Sequence, residues 1–335
     1  MTLLTGFLGS GKTTLLNQLL DHPAMAGTAV VVNEFGEIGL DDLLIERAAR
    51  APVLLKNGCI CCSVRGDLAL ALQDVILSRG RGDADIRRVV IETSGVSDPS
   101  PILHTLMTDA GIASHFRLNG VVTVVDGLRG IEGLDREPIA EKQAAIADRL
   151  VLSKLDLVAG DEISKIGEIL ARRYPAAVQL RASETSIDPS AIMNLGFLDT
   201  AKEAQFARWL PNEAPPAAYH HHCKGESCDH PSHENAHSDI ATFHLGRGCP
   251  ISWEALSAWL EALIADNRGH LLRLKGIVDV SDCPGEPIVI HGVEHIFHPP
   301  VRLERWPRGE QQTRIVLIGR KLDRIAIERD FKALK

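Results

Sequence analysis

Aromatic residues are scarce in this chain, only 4% of its 335 positions, although hydrophobic residues as a whole reach 45%. A large core is therefore expected to be built from Leu, Ile, Val and Ala. No apolar run approaches the ~20 residues that a bilayer-crossing helix needs. No basic residue precedes Lys12 to form the charged start of a secretory leader. The expectation is a soluble, cytoplasmic protein with no membrane partner. Positive charge is also in short supply: 36 Lys and Arg against 44 Asp and Glu leave a formal charge of −8. With no long basic block to reverse it, this argues against a general nucleic-acid binder. Cysteines number seven, and three of them crowd into positions 59, 61 and 62. That spacing does not suit a disulfide framework and points to metal chemistry in a reducing compartment. The length exceeds that of one ordinary domain, so two are expected.

What the chain does have begins at once. Thr2-Leu3-Leu4-Thr5 reads as a short buried strand, Gly6-Phe7-Leu8-Gly9-Ser10-Gly11-Lys12-Thr13-Thr14 as a P-loop, and Lys12 to Leu20 as a helix with Leu15, Leu16, Leu19 and Leu20 on one side. The glycines let successive N–H groups turn inward, and the helix N-terminus adds positive partial charge, so Gly6, Gly9, Ser10, Gly11 and Thr14 cradle phosphates. Lys12, read as an exposed loop lysine, supplies charge to the β- and γ-phosphates. The Thr13 hydroxyl is the expected Mg²⁺ ligand.

Further buried strands follow at Thr28 to Val32, Val53 to Leu55, Val89 to Ile91, Val121 to Val125 and Leu150 to Leu152, with helical stretches between them. This alternation gives an α/β, mostly parallel sheet whose strands end in polar motifs at one edge. Asn33 to Asp42, which contains Glu37, lies where a nucleotide-sensing switch belongs, though a solvated loop fits those residues equally well. Asn57-Gly58-Cys59-Ile60-Cys61-Cys62 sits at a strand-to-helix turn, before a helix expected from about Gly66 to Arg79. Its thiols can give two or three soft ligands to one metal. Glu92-Thr93-Ser94-Gly95 ends a strand: Glu92 is placed to hold Mg²⁺, and the Gly95 N–H to sense the γ-phosphate. Ser153-Lys154-Leu155-Asp156 ends another, and a carboxylate at Asp156 can accept both guanine donors, N1–H and the 2-amino group, which selects GTP.

From Pro211 the composition changes. His220, His221, His222, Cys223, Cys228, His230, His233 and His237 place eight imidazole or thiol groups within 18 residues, in a linker able to take up metal with low selectivity. From about Asp239 a smaller α+β domain is expected, with antiparallel strands and helices on one face. There His291, His295 and His298 could line one region, but solvated or core-satisfied histidines are the plainer reading. The expected division is 1–195, a linker at 196–238, and 239–335.

Taken in order, the P-loop, Asn33-Glu34-Phe35-Gly36, Gly58-Cys59-Ile60-Cys61-Cys62, Glu92-Thr93-Ser94-Gly95 and Ser153-Lys154-Leu155-Asp156 closely resemble the CobW family of metallochaperone GTPases. Leu272-Arg273-Leu274-Lys275-Gly276 and Val289-Ile290-His291-Gly292 resemble that family's C-terminal domain. The resemblance implies slow GTP hydrolysis coupled to delivery of zinc or cobalt to a client protein. Because the cysteine loop and the switch-like loop both fall near the phosphate site, the γ-phosphate is expected to order Asn33 to Asp42 and to draw Cys59, Cys61 and Cys62 into a metal site that Glu37 could complete. Ser153 stands where GTPase base motifs more often carry Asn. A small-molecule P-loop kinase, and a metal buffer or sensor with regulatory nucleotide binding, are the rival readings; a homodimer is left open.

Overall fold

The structure is a computed structural model that describes residues 1–33, 53–54, 60–81, 85–182, 187–193, 195, 240–306 and 311–335. Glu37, Cys59 and the ligands from His220 to His237 lie outside the described residues.

Seven strands form the first sheet: β1 (Thr2–Gly6), β2 (Thr28–Asn33), β3 (Val53–Leu54), β4 (Arg88–Thr93), β5 (Gly120–Asp126), β6 (Arg149–Ser153) and β7 (Val178–Arg181), in the order β3-β2-β4-β1-β5-β6-β7. Every pairing is parallel; Leu3 on β1, for example, lies opposite Ile91 on β4 and Val121 on β5. The chain thus winds to one side of β1 and then to the other. The period-2 pattern of each strand divides it between two cores, because alternate side chains point to opposite faces. Leu4, Val30, Val90, Val122 and Val151 pack with Leu15, Leu16 and Leu19 of the helix Lys12–Leu20. Leu3, Val31, Ile91, Val121 and Leu150 face Leu68, Leu72 and Val75 of the helix Ile60–Arg81, and Ile102, Leu103 and Leu106 of the helix Ser100–Thr108.

The helix expected from Gly66 begins earlier, at Ile60. Ile60 to Arg65 contains no breaker, and Gly66 is tolerated inside a long helix. Cys61 and Cys62 therefore belong to the first helical turn, not to a turn preceding the helix.

The second sheet is antiparallel: β8 (Ile240–Arg247), β9 (Leu271–Val278), β10 (Ile288–Val293), β11 (Ile296–Phe297), β12 (Val301–Arg302) and β13 (Thr313–Arg320), in the order β11-β10-β9-β13-β8, with β12 also on β10. One face carries Leu274, Ile290, Ile315 and Leu317 against Trp259 and Leu263 of the helix Trp253–Asp266, and against Ile327 and Phe331 of the helix Arg324–Lys332. Ser252 and Asp323 cap those helices, accepting from the Ala255 and Ala326 N–H groups. The opposite face, with Leu272, Ile277, Val289, Val316 and Ile318, is not left to solvent. It joins the core of the first domain.

That docking buries charge. Arg273 and Lys275 alternate with apolar neighbours on β9 and are both buried, as is Asp148 at the entry to β6. Arg273 Nη2 donates to Asp148 Oδ2 at 2.7 Å, Lys275 donates to Asp148 Oδ1, and Asp148 Oδ2 also accepts the Val121 N–H at 2.8 Å. Burial alone would raise the Asp148 pKa, but Arg273 and Lys275 overcome it and hold the carboxyl well below its usual range. Among the described residues no helix is long and apolar enough to cross a membrane.

Candidate functional site: a phosphate loop at the carboxyl edge of the sheet

The carboxyl ends of β1, β4, β5 and β6 bring Gly6, Thr93, Asp126 and Ser153 to one edge, which is where open α/β sheets bind ligands. The P-loop runs from Gly6 to the helix that starts at Lys12. Gly9 and Gly11 take φ of 70° and 91°, left-handed values that a side chain resists. Gly6 is fixed twice over: its φ is 146°, and a Cβ there would lie 2.4 Å from the Val124 carbonyl oxygen of the neighbouring strand. Ser10 N–H closes the turn onto Phe7 O at 3.1 Å.

Lys12 corrects the sequence reading. It is not an exposed loop lysine but a buried residue. As the first residue of its helix it folds back over the loop, with Nζ donating to Gly6 O at 3.0 Å and Phe7 O at 3.2 Å. The ammonium is thereby held within the curl of the loop.

Thr13 Oγ1 donates to Glu92 Oε1 at 2.8 Å. Residues expected to share one magnesium ion thus meet side by side, with Glu92 fully buried at the end of β4. Two oxygens of this kind, a hydroxyl and a carboxylate, are the hard ligands Mg²⁺ takes. Thr93 Oγ1 donates to Thr5 Oγ1 at 2.8 Å and ties β4 to β1 beneath them. The segment after Glu92 presses on the loop: a Cβ on Gly95 would fall 2.6 Å from Leu8 N, so the glycine there permits backbone-to-backbone approach. Thr14, on the exposed side of the first helical turn, is placed next to these residues by sequence alone.

On the other flank, Ser153 Oγ donates to Ser10 O at 2.6 Å and to Val125 O at 3.3 Å, so the base-side motif is hooked to the phosphate loop. Lys154 takes a left-handed φ of 53° and its Nζ donates to Asp126 Oδ2 at 2.7 Å. Asp156 follows in the short 3₁₀ turn Leu155–Leu157, exposed to solvent. A cleft of about 720 Å³ opens here, lined by Leu8, Gly9, Ser10, Asp126 and Lys154 among others.

The motif reading did not reach Gln143. This fully buried side chain donates through Nε2 to Gly95 O at 3.2 Å and Ser97 O at 3.1 Å, while the Gln143 backbone carbonyl accepts from Thr123 Oγ1 at 2.7 Å. It pins the segment after Glu92 to β5. Next to it, Lys142 Nζ donates to Asp98 Oδ2 at 2.7 Å and to Glu294 Oε1 of the second domain at 2.6 Å. Burial disfavours the charge on Asp98 and Lys142, yet their mutual contact prevails: Asp98 is held below its ordinary pKa and Lys142 above. A single Gln in a helix gives no sequence signal of this kind; only its burial does.

Of the expected transition-metal ligands, Cys61 and Cys62 are placed as backbone in the first turn of the helix Ile60–Arg81, and Glu37 and Cys59 lie outside the described residues. Of the three histidines of the second domain, His291 and His298 pack ring to ring at 5.1 Å, whereas His295 lies against His104 of the first domain at 4.7 Å.

A P-loop on the central strand of a parallel sheet, an acidic residue at the end of the adjacent strand, and a base-side loop hooked to the P-loop define a P-loop nucleotide-binding protein with a second, antiparallel domain. Residues 1–180 match the CobW/HypB/UreG nucleotide-binding domain and residues 240–335 the cobalamin synthesis protein CobW C-terminal domain, and the chain belongs to that family. It is 31% identical to the zinc chaperone YjiA of Escherichia coli K12, over 100% of this chain and 98% of that one. It is 31% identical to the zinc chaperone CobW of Pseudomonas aeruginosa, over 99% and 90% respectively, and 28% identical to zinc-regulated GTPase metalloprotein activator 1 of Schizosaccharomyces pombe, over 97% and 83%. The crystal structure of Zn(II)-bound YjiA GTPase superposes with a TM-score of 0.70 at 28% identity, covering 100% of this chain and 98% of that one.

Proposed function

We propose that the protein is a GTPase that couples GTP binding and hydrolysis to the binding of a transition metal, zinc or cobalt, and to its delivery to a client protein. The observation that carries the reading is the contact of Thr13 with Glu92 at 2.8 Å, just before a Gly95 that packs on Leu8. Phosphate grip, magnesium ligands and γ-phosphate sensor share one edge. The loop N–H groups and Lys12 hold the phosphates and stabilise charge in transfer, Thr13 and Glu92 hold Mg²⁺, and Asp156 reads guanine. Bound Mg²⁺ would supply charge neutralisation at the phosphates.

The transition metal is the cargo. Cys59, Cys61 and Cys62 with Glu37 are its ligands in this reading, and the His220 to His237 segment is a low-selectivity store. Division at 195 and 239 and a cytoplasmic setting belong to the same proposal; the names of the relatives, zinc chaperones and a zinc-regulated GTPase, support its metal. The test is a zinc titration in the presence of GDP or of a non-hydrolysable GTP analogue. Tighter metal binding with the analogue, ~5- to 150-fold, is expected, with the reciprocal gain in analogue affinity when metal is present. Equal affinity in the two nucleotide forms would refute GTP-gated delivery.

A further inference from the structure

The described residues include one cluster that the phosphate site and the cysteine motif do not use. His104, buried on the helix Ser100–Thr108, meets Glu294 and His295, which form the turn between β10 and β11. One ligand atom from each lies within 4.8 Å of the other two. His104 Nε2 stands 3.6 Å from Glu294 Oε2, and the two imidazole rings meet edge-on, 80° apart in plane.

We propose that these three side chains form a divalent transition-metal site joining the two domains. Two imidazoles and a carboxylate are a ligand set that suits zinc and its neighbours, with a fourth position for water or another donor. Tetrahedral zinc with N and O ligands at about 2.0–2.1 Å sets those atoms roughly 3.3 Å apart. The His104 to Glu294 spacing is already close to that value. The remaining closure falls to His295, which is exposed on a two-residue hairpin turn and has room to move.

The surroundings orient the carboxylate for this role. Glu294 holds φ 53°, at the first turn position, where glycine is the ordinary occupant of such hairpins. Its Oε1 is taken by Lys142 at 2.6 Å, which leaves Oε2 towards His104. Lys142 is in turn paired with Asp98 at 2.7 Å, so its charge is shared rather than set wholly against an incoming cation. An outer partner that fixes a ligand's orientation is a regular part of metal sites. The simpler alternative is a plain cross-domain ion pair between His104 and Glu294. It leaves His295 without a role, and the two accounts part in the following experiment.

The full-length chain is prepared with Cys59, Cys61 and Cys62 changed to Ser and with the His and Cys residues of 220–237 changed to Asn and Ser. It is titrated with Co²⁺ in the absence of nucleotide, so the outcome is independent of GTP hydrolysis. One equivalent is expected to bind with visible d–d absorption and no thiolate charge-transfer band. His104→Gln and His295→Gln should each weaken it, by roughly 100-fold or more. His295 is exposed, so His295→Gln keeps the test valid should His104→Gln disturb the fold. No cobalt binding by the parent chain, a thiolate band, or unchanged affinity in His295→Gln would each overturn the proposal.

Discussion

Asp148 and Arg273 meet across the two domains, Oδ2 to Nη2 at 2.7 Å, with side chains only 5% and 2% exposed. Lys275 reaches the other carboxylate oxygen, although burial, reinforced by Arg273, pulls its own pKa well below the ordinary lysine value, so one buried anion serves two basic groups. Removing the anion is therefore worse than losing one contact. Asp148→Ala takes the carboxylate away from Arg273 and Lys275 and frees the Val121 N–H. It is expected to destabilise the protein by about 3–5 kcal/mol, read as a fall in urea midpoint. A loss below ~1 kcal/mol would mean that solvent enters the interface and screens it.

The same interface sets an acid limit. His291 and His298 are both pushed down by burial first, and His298 further by Arg273, to about 4; for His291, Arg273 and Lys275 add to the effect. In the unfolded chain they titrate near ~6.5. The folded state therefore favours the neutral rings. Their contribution is fully present above about pH 6.5 and is lost as pH falls towards 4, on the order of 3 kcal/mol for His298. Asp148 acts in the same sense, but only below its own unfolded range. Urea midpoints between pH 7 and 4 measure this, and His298→Asn should flatten the slope.

Lys12→Ala is expected to lower GTP hydrolysis ~100-fold or more, since it removes the cation held inside the loop's curl. The fold should survive, because the bonds to the Gly6 and Phe7 carbonyls, about 1.5–3 kcal/mol each for a charged donor, tie down the loop and not the packed strands and helix beneath it. Turnover and far-UV circular dichroism on the same sample decide it; near-normal turnover in a folded variant would remove Lys12 from the site.

Asp156→Asn is expected to weaken GTP about 10- to 150-fold, the loss of hydrogen bonds to a charged acceptor, and to gain xanthosine triphosphate in exchange. Asp156 is exposed, so stability should change by less than ~0.5 kcal/mol. Competition binding with GTP, ATP and xanthosine triphosphate is the measurement, and ATP competing as well as GTP in the unaltered chain would refute guanine selection.

The first domain was legible because its strands are apolar runs that end in chemically specific residues: Leu3-Leu4 before Gly6, Val89 to Ile91 before Glu92, Leu150 to Leu152 before Ser153. Periodicity located the strands and the motifs located the edge. The second domain's helices and strands were also readable, but its docking was not. Arg273-Leu274-Lys275 alternates as a half-exposed strand does, and only the partner surface carrying Asp148 turns its polar side inward. Likewise His104 and Glu294 stand far apart in sequence, and a helix His and a turn Glu say nothing of each other. His291, His295 and His298, which spacing alone could not assign to one region, fold onto different neighbours, with His295 turned towards the first domain.

The small sheet's second face has a consequence for how the chain can be cut and rejoined. Leu272, Ile277, Val289, Val316 and Ile318 lie on the side that meets the first domain, beside Arg273 and Lys275. Produced alone, the C-terminal half would show water a continuous apolar surface interrupted by two cations whose counter-ion stayed behind on the other fragment. Such a surface adheres to copies of itself. The two halves are therefore each other's solvent, and the covalent connection between them is the lesser part of what keeps them together.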